Sequence, residues 1–238
     1  MNIILSKSPP QVRPTGARAL LLCIVLVLAL LMICAIRGRA AEPITAADVI
    51  ARAEERFRAL RDYECSVDIE VKLGGEVEAG SGKFWFKQPR MLRVRVTHGP
   101  GKGSEVAVDS QGQIRGRKRG LLSFIVKRLK ASDRRLHTIR GTSMMELDWG
   151  SFMLRYRAAA LRPDAQIVLA PRSDSNTPYK VLVTYPDLGK SVREVYSLDP
   201  HQWIIVEGAL YEDDSLVEHV VFRDIKLDTG VAPAWFRL

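Results

Sequence analysis

The most regular feature of the chain is a run in which every second residue is apolar. Val67, Ile69, Val71 and Leu73 alternate with Ser66, Asp68, Glu70 and Lys72, the period of a strand with one buried face and one wet face. Gly74-Gly75 follows as a two-residue hairpin turn of the kind that tolerates positive φ. The return strand is predicted over residues 76–87, where Gly80 and Gly82 suggest a bulge or sharp bend and Lys83-Phe84-Trp85-Phe86-Lys87 alternates again. Gln88-Pro89 forms a break, and Leu92, Val94 and Val96 then alternate with Arg93, Arg95 and Thr97. Short strands at 105–108 and 113–116 complete an antiparallel meander. Strands resume at 166–170, 179–185, 191–198, 203–211 and 217–227, with Asp187-Leu188-Gly189, Asp199-Pro200 and Asp213-Asp214 at the turns.

Between and before the strands the period changes. Thr45 is a predicted N-cap for an amphipathic helix over 46–60, whose apolar stripe is Val49, Ala53, Phe57 and Leu60. Residues 121–129, apolar and basic, predict one or two turns of helix. Thr142-Ser143 then caps a longer helix over 144–160 with Met145, Trp149, Phe152 (or Met153) and Tyr156 on one side and Pro163 beyond its end. The order helix, meander, central helices, meander predicts an α+β fold. Its expected form is a single large curled antiparallel sheet of nine or ten strands, an incomplete β-barrel covered by the N-terminal helix and the central helices.

Composition narrows the class. The 238 residues are 47% hydrophobic and 26% charged, which is enough apolar surface for a core and excludes a collagen-like, mucin-like or wholly disordered chain. Residues 19–36 run 18 positions without a charge, Pro or Gly, with Lys7, Arg13 and Arg18 before them and Arg37 and Arg39 after. A helix of that length spans about 27 Å, close to a hydrocarbon core. Residues 1–40 therefore read as a signal peptide or a transmembrane signal anchor. Gly38-Arg39-Ala40 suits cleavage before Ala41, while the length of the run suits retention, and both remain open. Either way residues 41–238 form one exported domain. Two of the three cysteines, Cys23 and Cys34, precede it, so Cys65 has no internal disulfide partner and reads as a small core residue.

Several short stretches together resemble a known family. The order of signal segment, amphipathic helix and Tyr63 leading into a two-period strand is followed by Lys87-Gln88-Pro89-Arg90-Met91-Leu92-Arg93. This is similar to a passage of the outer-membrane lipoprotein carrier-like (LolA/LolB-like) superfamily, and within it most of all to a secreted bacterial domain family of unknown function. Gly141-Thr142-Ser143 with Gly150, and the ending Val221-Phe222-Arg223-Asp224-Ile225-Lys226-Leu227-Asp228, resemble that family's middle and C-terminus. The resemblance runs from about Thr45 to Leu238. It implies an incomplete β-barrel with a helical lid and an apolar interior that receives acyl chains.

Two sets of residues are candidates for binding. By strand parity Val67, Ile69, Val71, Phe84, Phe86, Leu92, Val94 and Val96 share one face, which either lines an apolar cavity or is filled as ordinary core. Residues 113–140 hold ten Lys and Arg and one acid, Asp133, a net charge equal to the +9 of the whole chain. Within that segment Arg117, Lys118, Arg119, Lys127 and Arg128 are candidates for docking on an anionic membrane surface, the alternative being a solvated loop. An export signal argues against nucleic acid as the partner. His98, His137, His201 and His219 are scattered without metal-ligand spacing, and no nucleophile elbow or phosphate loop precedes a helix. The expectation is a non-enzymatic module of the bacterial cell envelope without cofactor or metal, binding a lipid or an acylated protein. The alternative is a membrane-anchored envelope sensor or scaffold that uses the same fold for protein interaction.

Overall fold

The computed structural model describes residues 43–118 and 124–238. Residues 19–36 and Arg119, on which the predicted export segment and one docking candidate fall, lie outside the described residues. Among the described residues no helix is long and apolar enough to cross a membrane. Ile44–Leu238 form one compact unit.

Eleven strands form within it: β1 (Asp62–Leu73), β2 (Glu76–Lys87), β3 (Met91–His98), β4 (Ser104–Val108), β5 (Ile114–Lys118), β6 (Val126–Leu129), β7 (Gln166–Leu169), β8 (Tyr179–Asp187), β9 (Lys190–Leu198), β10 (Ile205–Glu212) and β11 (Ser215–Leu227). They make one antiparallel sheet in the order β6-β5-β4-β3-β2-β1-β11-β10-β9-β8-β7. The sheet is curled and open, with the four-residue strands β6 and β7 at its two edges. Each meander is contiguous, and the first and last strands join them: Val67 pairs with Phe222, Ile69 with Val220 and Val71 with Glu218. The inner faces of the two meanders are therefore one surface.

The predicted turn chemistry is present. Gly74 and Gly75 have φ of 56° and 88° in the β1–β2 turn, a conformation that a Cβ would strain. The register of β2 against β3 shifts between Ser81 and Gly82, the bulge that the paired glycines predict. Of residues 121–129, those described, 124–129, do not form the helix expected of them, and 121–123 lie outside the described residues. Val126–Leu129 instead pair with β5, Lys127 opposite Gly116 and Leu129 opposite Ile114. An unpaired edge of β5 would leave its backbone groups exposed, and pairing satisfies them.

Two α-helices pack on the inner face. α1 (Ala46–Ala59) begins at a capping box in which Asp48 N–H donates to Thr45 Oγ1 at 3.2 Å and Thr45 N–H donates to Asp48 Oδ2 at 2.9 Å. Val49, Ile50 and Ala53 are its buried face. The second helix is shorter than the sequence predicts. Ser143 caps only a single 3₁₀ turn, Met144–Glu146, and α2 (Trp149–Ala160) starts afresh at Asp148. Asp148 takes the cap because its carboxylate accepts both Ser151 N–H, at 3.1 Å, and Ser151 Oγ–H, at 2.6 Å.

The outer face of β3 and β4 is also covered. The C-terminal 3₁₀ turn Pro233–Phe236 lies against it, burying Phe236 and Ala107. Beneath it Glu105 is 0% exposed and carries three guanidinium partners: Arg117 Nη2 and Arg95 Nε at 2.7 Å and Arg93 Nη2 at 3.0 Å. Burial works to raise the Glu105 pKa, but the hydrogen bonds from Arg117, Arg95 and Arg93 outweigh it and bring it down to about 2. Arg93 also donates to the Trp235 carbonyl at 2.6 Å and lies over that indole, its guanidinium carbon 4.3 Å from the ring centre.

Candidate ligand cavity

Strand parity places Val67, Ile69, Val71, Phe84, Phe86, Leu92, Val94 and Val96 on the inner face, because Val67 faces Gly82, Phe84 faces Val94 and Phe86 faces Leu92. The environment along that face is not uniform. Toward the start of β1, Tyr63 stacks on Trp149 at 3.9 Å between ring centres and lies 5.2 Å from Phe86. Phe152 and Tyr156 of α2 meet Phe222 and Tyr196 edge-on at 5.6 and 5.8 Å. Gly208 lies under the Phe152 ring, where any Cβ would collide with it. This half of the inner face is filled.

Toward β6 the face is open. A cavity of about 1040 Å³ lies between β1–β6 and the segment 134–147, with Val67, Val71, Phe84, Val94 and Val106 in its floor and Ile69 and Val96 beside them. Its volume stands at the top of the usual range for small-molecule sites, about 300–1000 Å³. Phe86 and Leu92 are not in its wall. Phe86 stacks on Tyr63 and lies opposite Leu92, so these two of the eight expected residues are found in the packed part and the other six border the cavity. The cavity also does not extend under α2, whose inward side chains occupy that space. It lies under the chain that precedes the helix.

Two features shape this half. Gly80 and Gly82 on β2 and Gly116 on β5 remove side chains from the inner face, and all three border the cavity. At Gly82 the omission is also a close approach, since a Cβ would stand 2.8 Å from the Arg95 carbonyl oxygen. The roof is held at the rim by polar contacts, and Leu136, Met145 and Leu147 of the same segment are buried in the core. Ile139 N–H donates to Glu78 Oε2 at 2.9 Å, Arg140 donates to the Lys72 carbonyl at 3.0 Å and pairs with Glu212, and Thr142 Oγ1 donates to Glu218 Oε2 at 2.5 Å. The sequence carried a signal for this void in the parity of the three glycines, which marks them as missing inner-face side chains as well as a bend.

The basic segment is divided by the same parity. Arg117 borders the cavity but is engaged by Glu105, and Arg128 pairs across from Arg115 on the outer face, where it is exposed. Lys118 and Lys127 are exposed on the inner side, opposite Ser104 and Gly116, and border the cavity. The four described docking candidates are therefore split between two faces. Next to them Phe124, Ile125 and Val126 are exposed at 77%, 40% and 39%, a cluster that sequence reasoning missed because it read the segment as helix.

No protein-family model matches the chain, and no curated protein matches it. Solved structures that align with it include lipoprotein-sorting and LolA superfamily proteins, and also PNGF-II and MucB in complex with MucA. The Mycobacterium tuberculosis lipoprotein LppX aligns at 12% identity with a TM-score of 0.44, over 79% of this chain and 99% of that one. A DUF1329 family protein from Desulfovibrio piger aligns at 10% identity and 0.42, over 82% and 98%, and a LolA superfamily protein from Nitrosomonas europaea at 11% and 0.38, over 82% and 99%. The last bears the name of the superfamily that the sequence resembles. At these scores the likeness carries nothing about ligand or mechanism, which must come from the cavity itself.

No group of three or more His, Cys, Asp and Glu is placed to hold a metal among the described residues. His219 Nε2 lies 2.7 Å from Glu207, and His137 Nδ1 lies 2.9 Å from the Asp133 carbonyl oxygen. Burial pushes the Cys65 thiol up, which leaves it protonated and poorly suited to nucleophilic work.

Proposed function

We propose that this chain is a non-catalytic, extracytoplasmic lipid-binding module that shelters the acyl part of a lipid or an acylated protein. The observation that carries this reading is a cavity of about 1040 Å³ with an apolar floor, Val67, Val71, Phe84, Val94 and Val106. Each methylene moved from water onto such a floor contributes about 0.8 kcal/mol, so a chain of a dozen carbons contributes on the order of 10 kcal/mol before ordering costs. The apolar run of residues 19–36 supports export, with residues 1–40 as signal or anchor and 41–238 as the working domain. The exposed Phe124 and Val126 beside Arg128 support contact with an anionic membrane near the cavity.

Native mass spectrometry of the protein purified from its envelope fraction tests the reading. Co-purified lipid, displaced by a fluorescent fatty acid, is the expected result. A ligand-free protein that also fails to bind the fatty acid would overturn it. The length of residues 19–36 favours a second reading, a tethered sensor or scaffold. An intact mass that retains those residues, together with absence of lipid, would favour it.

A further inference from the structure

Five cations of the basic segment, Arg117, Lys118, Lys127, Arg134 and Arg135, border the cavity. Among the nine described cations of residues 113–140, four have carboxylate partners: Arg115 with Asp109, Arg117 with Glu105, Arg135 with Asp133 and Arg140 with Glu212. Lys118, Lys127, Arg128, Lys130 and Arg134 have none among the described residues. Of these, Lys118, Lys127 and Arg134 border the cavity, and all three are exposed. Lys127 is directly opposite Gly116, so Lys118, two residues along β5, is its diagonal neighbour on the same face, a spacing of about 7–8 Å. Arg134, on the roof segment, borders the same cavity.

The acids of the wall do not neutralise these cations. Glu78 is held by Ile139 N–H at 2.9 Å, and the Glu105 carboxylate is turned to the outer face, bound by its three arginines. Two ammonium groups and a guanidinium thus border one largely apolar chamber, and like charges that share a site repel unless an anion lies between them.

We infer that the ligand is a long-chain amphiphile with an anionic headgroup, a carboxylate or phosphate, held at the cavity mouth by Lys118, Lys127 and Arg134. This rests on the lipid-binding reading and adds the headgroup's charge to it. It also gives the inward-facing lysines a task different from membrane docking, which falls to residues outside the cavity. Lysine and arginine both suit the task, because their N–H donors form charge-assisted hydrogen bonds to carboxylate and phosphate oxygens.

The test uses the full chain, delipidated, with oleate and with oleyl alcohol, which share a tail and differ in headgroup charge. Oleate is expected to bind at least tenfold more tightly, with the margin shrinking as salt rises. In K118Q/K127Q/R134Q that margin should fall below about threefold while oleyl alcohol binds within twofold of wild type. R128Q, on the outer face, should keep the full margin. Acetate and inorganic phosphate, carrying the headgroup charge without a tail, should not compete at equal concentration. Equal binding of the two tails, or a margin that survives the triple variant, would overturn the inference and leave the cavity reading standing. If neither tail binds, the cavity reading itself fails. Competition by acetate or phosphate alone would show a free-anion site in place of an amphiphile site.

Discussion

The two halves of the inner face are built from the same kind of strand and end in opposite states. On the β8–β11 side, extending to the start of β1, Trp149, Phe152, Met153 and Tyr156 descend from α2 and leave no space. On the β2–β6 side the covering chain is a segment of turns, tied at its rim to Glu78 and Glu218 and buried at Leu136 and Leu147, and a cavity remains between it and the apolar floor. A regular helix presents a row of side chains along one stripe and can fill a groove, whereas an irregular segment tied by backbone and carboxylate contacts spans it. Filling is thus a property of what lies over the sheet, and the sheet itself does not decide it.

The sharpest way to break this comparison is to truncate one residue in each half. Trp149→Ala removes a fully buried ring stacked on Tyr63 and should cost about 3–5 kcal/mol in chemical denaturation. Val96→Ala, at a position already bordering a void, should cost less than about 1 kcal/mol. Comparable losses at the two sites would mean that the open half is packed in solution.

An open half needs support from somewhere, and the structure offers it from behind. Glu105 and its three arginines lie on the outer face of β3–β5 under the C-terminal turn. Glu105→Gln leaves three guanidinium groups around a neutral amide and should destabilise by roughly 3 kcal/mol. The folded pKa of about 2 is depressed below the ordinary value, about 4.3 for a glutamate. The stability contributed by Glu105 is therefore present above that ordinary value and is lost as pH falls toward about 2. Wild type should lose stability across this window more steeply than Glu105→Gln in urea titrations at stepped pH. Parallel slopes would assign the acid sensitivity to other groups.

The two halves also differ in how legible they were. Alternation from Val67 to Val96 identified the correct inner face, and the glycine and proline breaks located nearly every strand. A period of two gives the face of a residue and not its height along the strand, so Phe86 and Leu92 could not be separated from Phe84 and Val94. That separation depends on where α2 begins, and Asp148 sets it through Ser151, a cap that competes with Ser143 only five residues earlier. The burial of Glu105 was hidden for another reason. It reads as an ordinary wet-face residue of a short strand, and its cover comes from Pro233–Phe236, far along the chain. The charge run concealed its own division, although applying parity to Arg117 and Lys118 would have put them on opposite faces.

Filling the open half by mutation should uncouple binding from stability. Val96→Trp places a large ring in the cavity without removing any packed atom. It should reduce fatty-acid affinity more than tenfold, about 1.4 kcal/mol or more, while the unfolding midpoint shifts by no more than about 1 kcal/mol equivalent. Unaltered affinity would locate the ligand outside the cavity.

The smallest expected effect concerns the tip next to the open half. Phe124 is 77% exposed, so Phe124→Ser removes no packed contact and should leave stability within about 0.5 kcal/mol. If the ring enters the headgroup region of a membrane, its loss removes the burial of one aromatic side chain, on the order of 1–2 kcal/mol in partitioning. Liposome sedimentation with vesicles rich in anionic phospholipid should then show several-fold weaker binding, whereas oleate affinity in solution should not change. The packed half has no such exposed apolar tip beside a cluster of cations, and alanine at exposed Leu161 should leave liposome binding unaltered. Equal losses at Phe124 and Leu161 would show that membrane contact is not directed to the cavity side, and the open half would then have to acquire its ligand from solution.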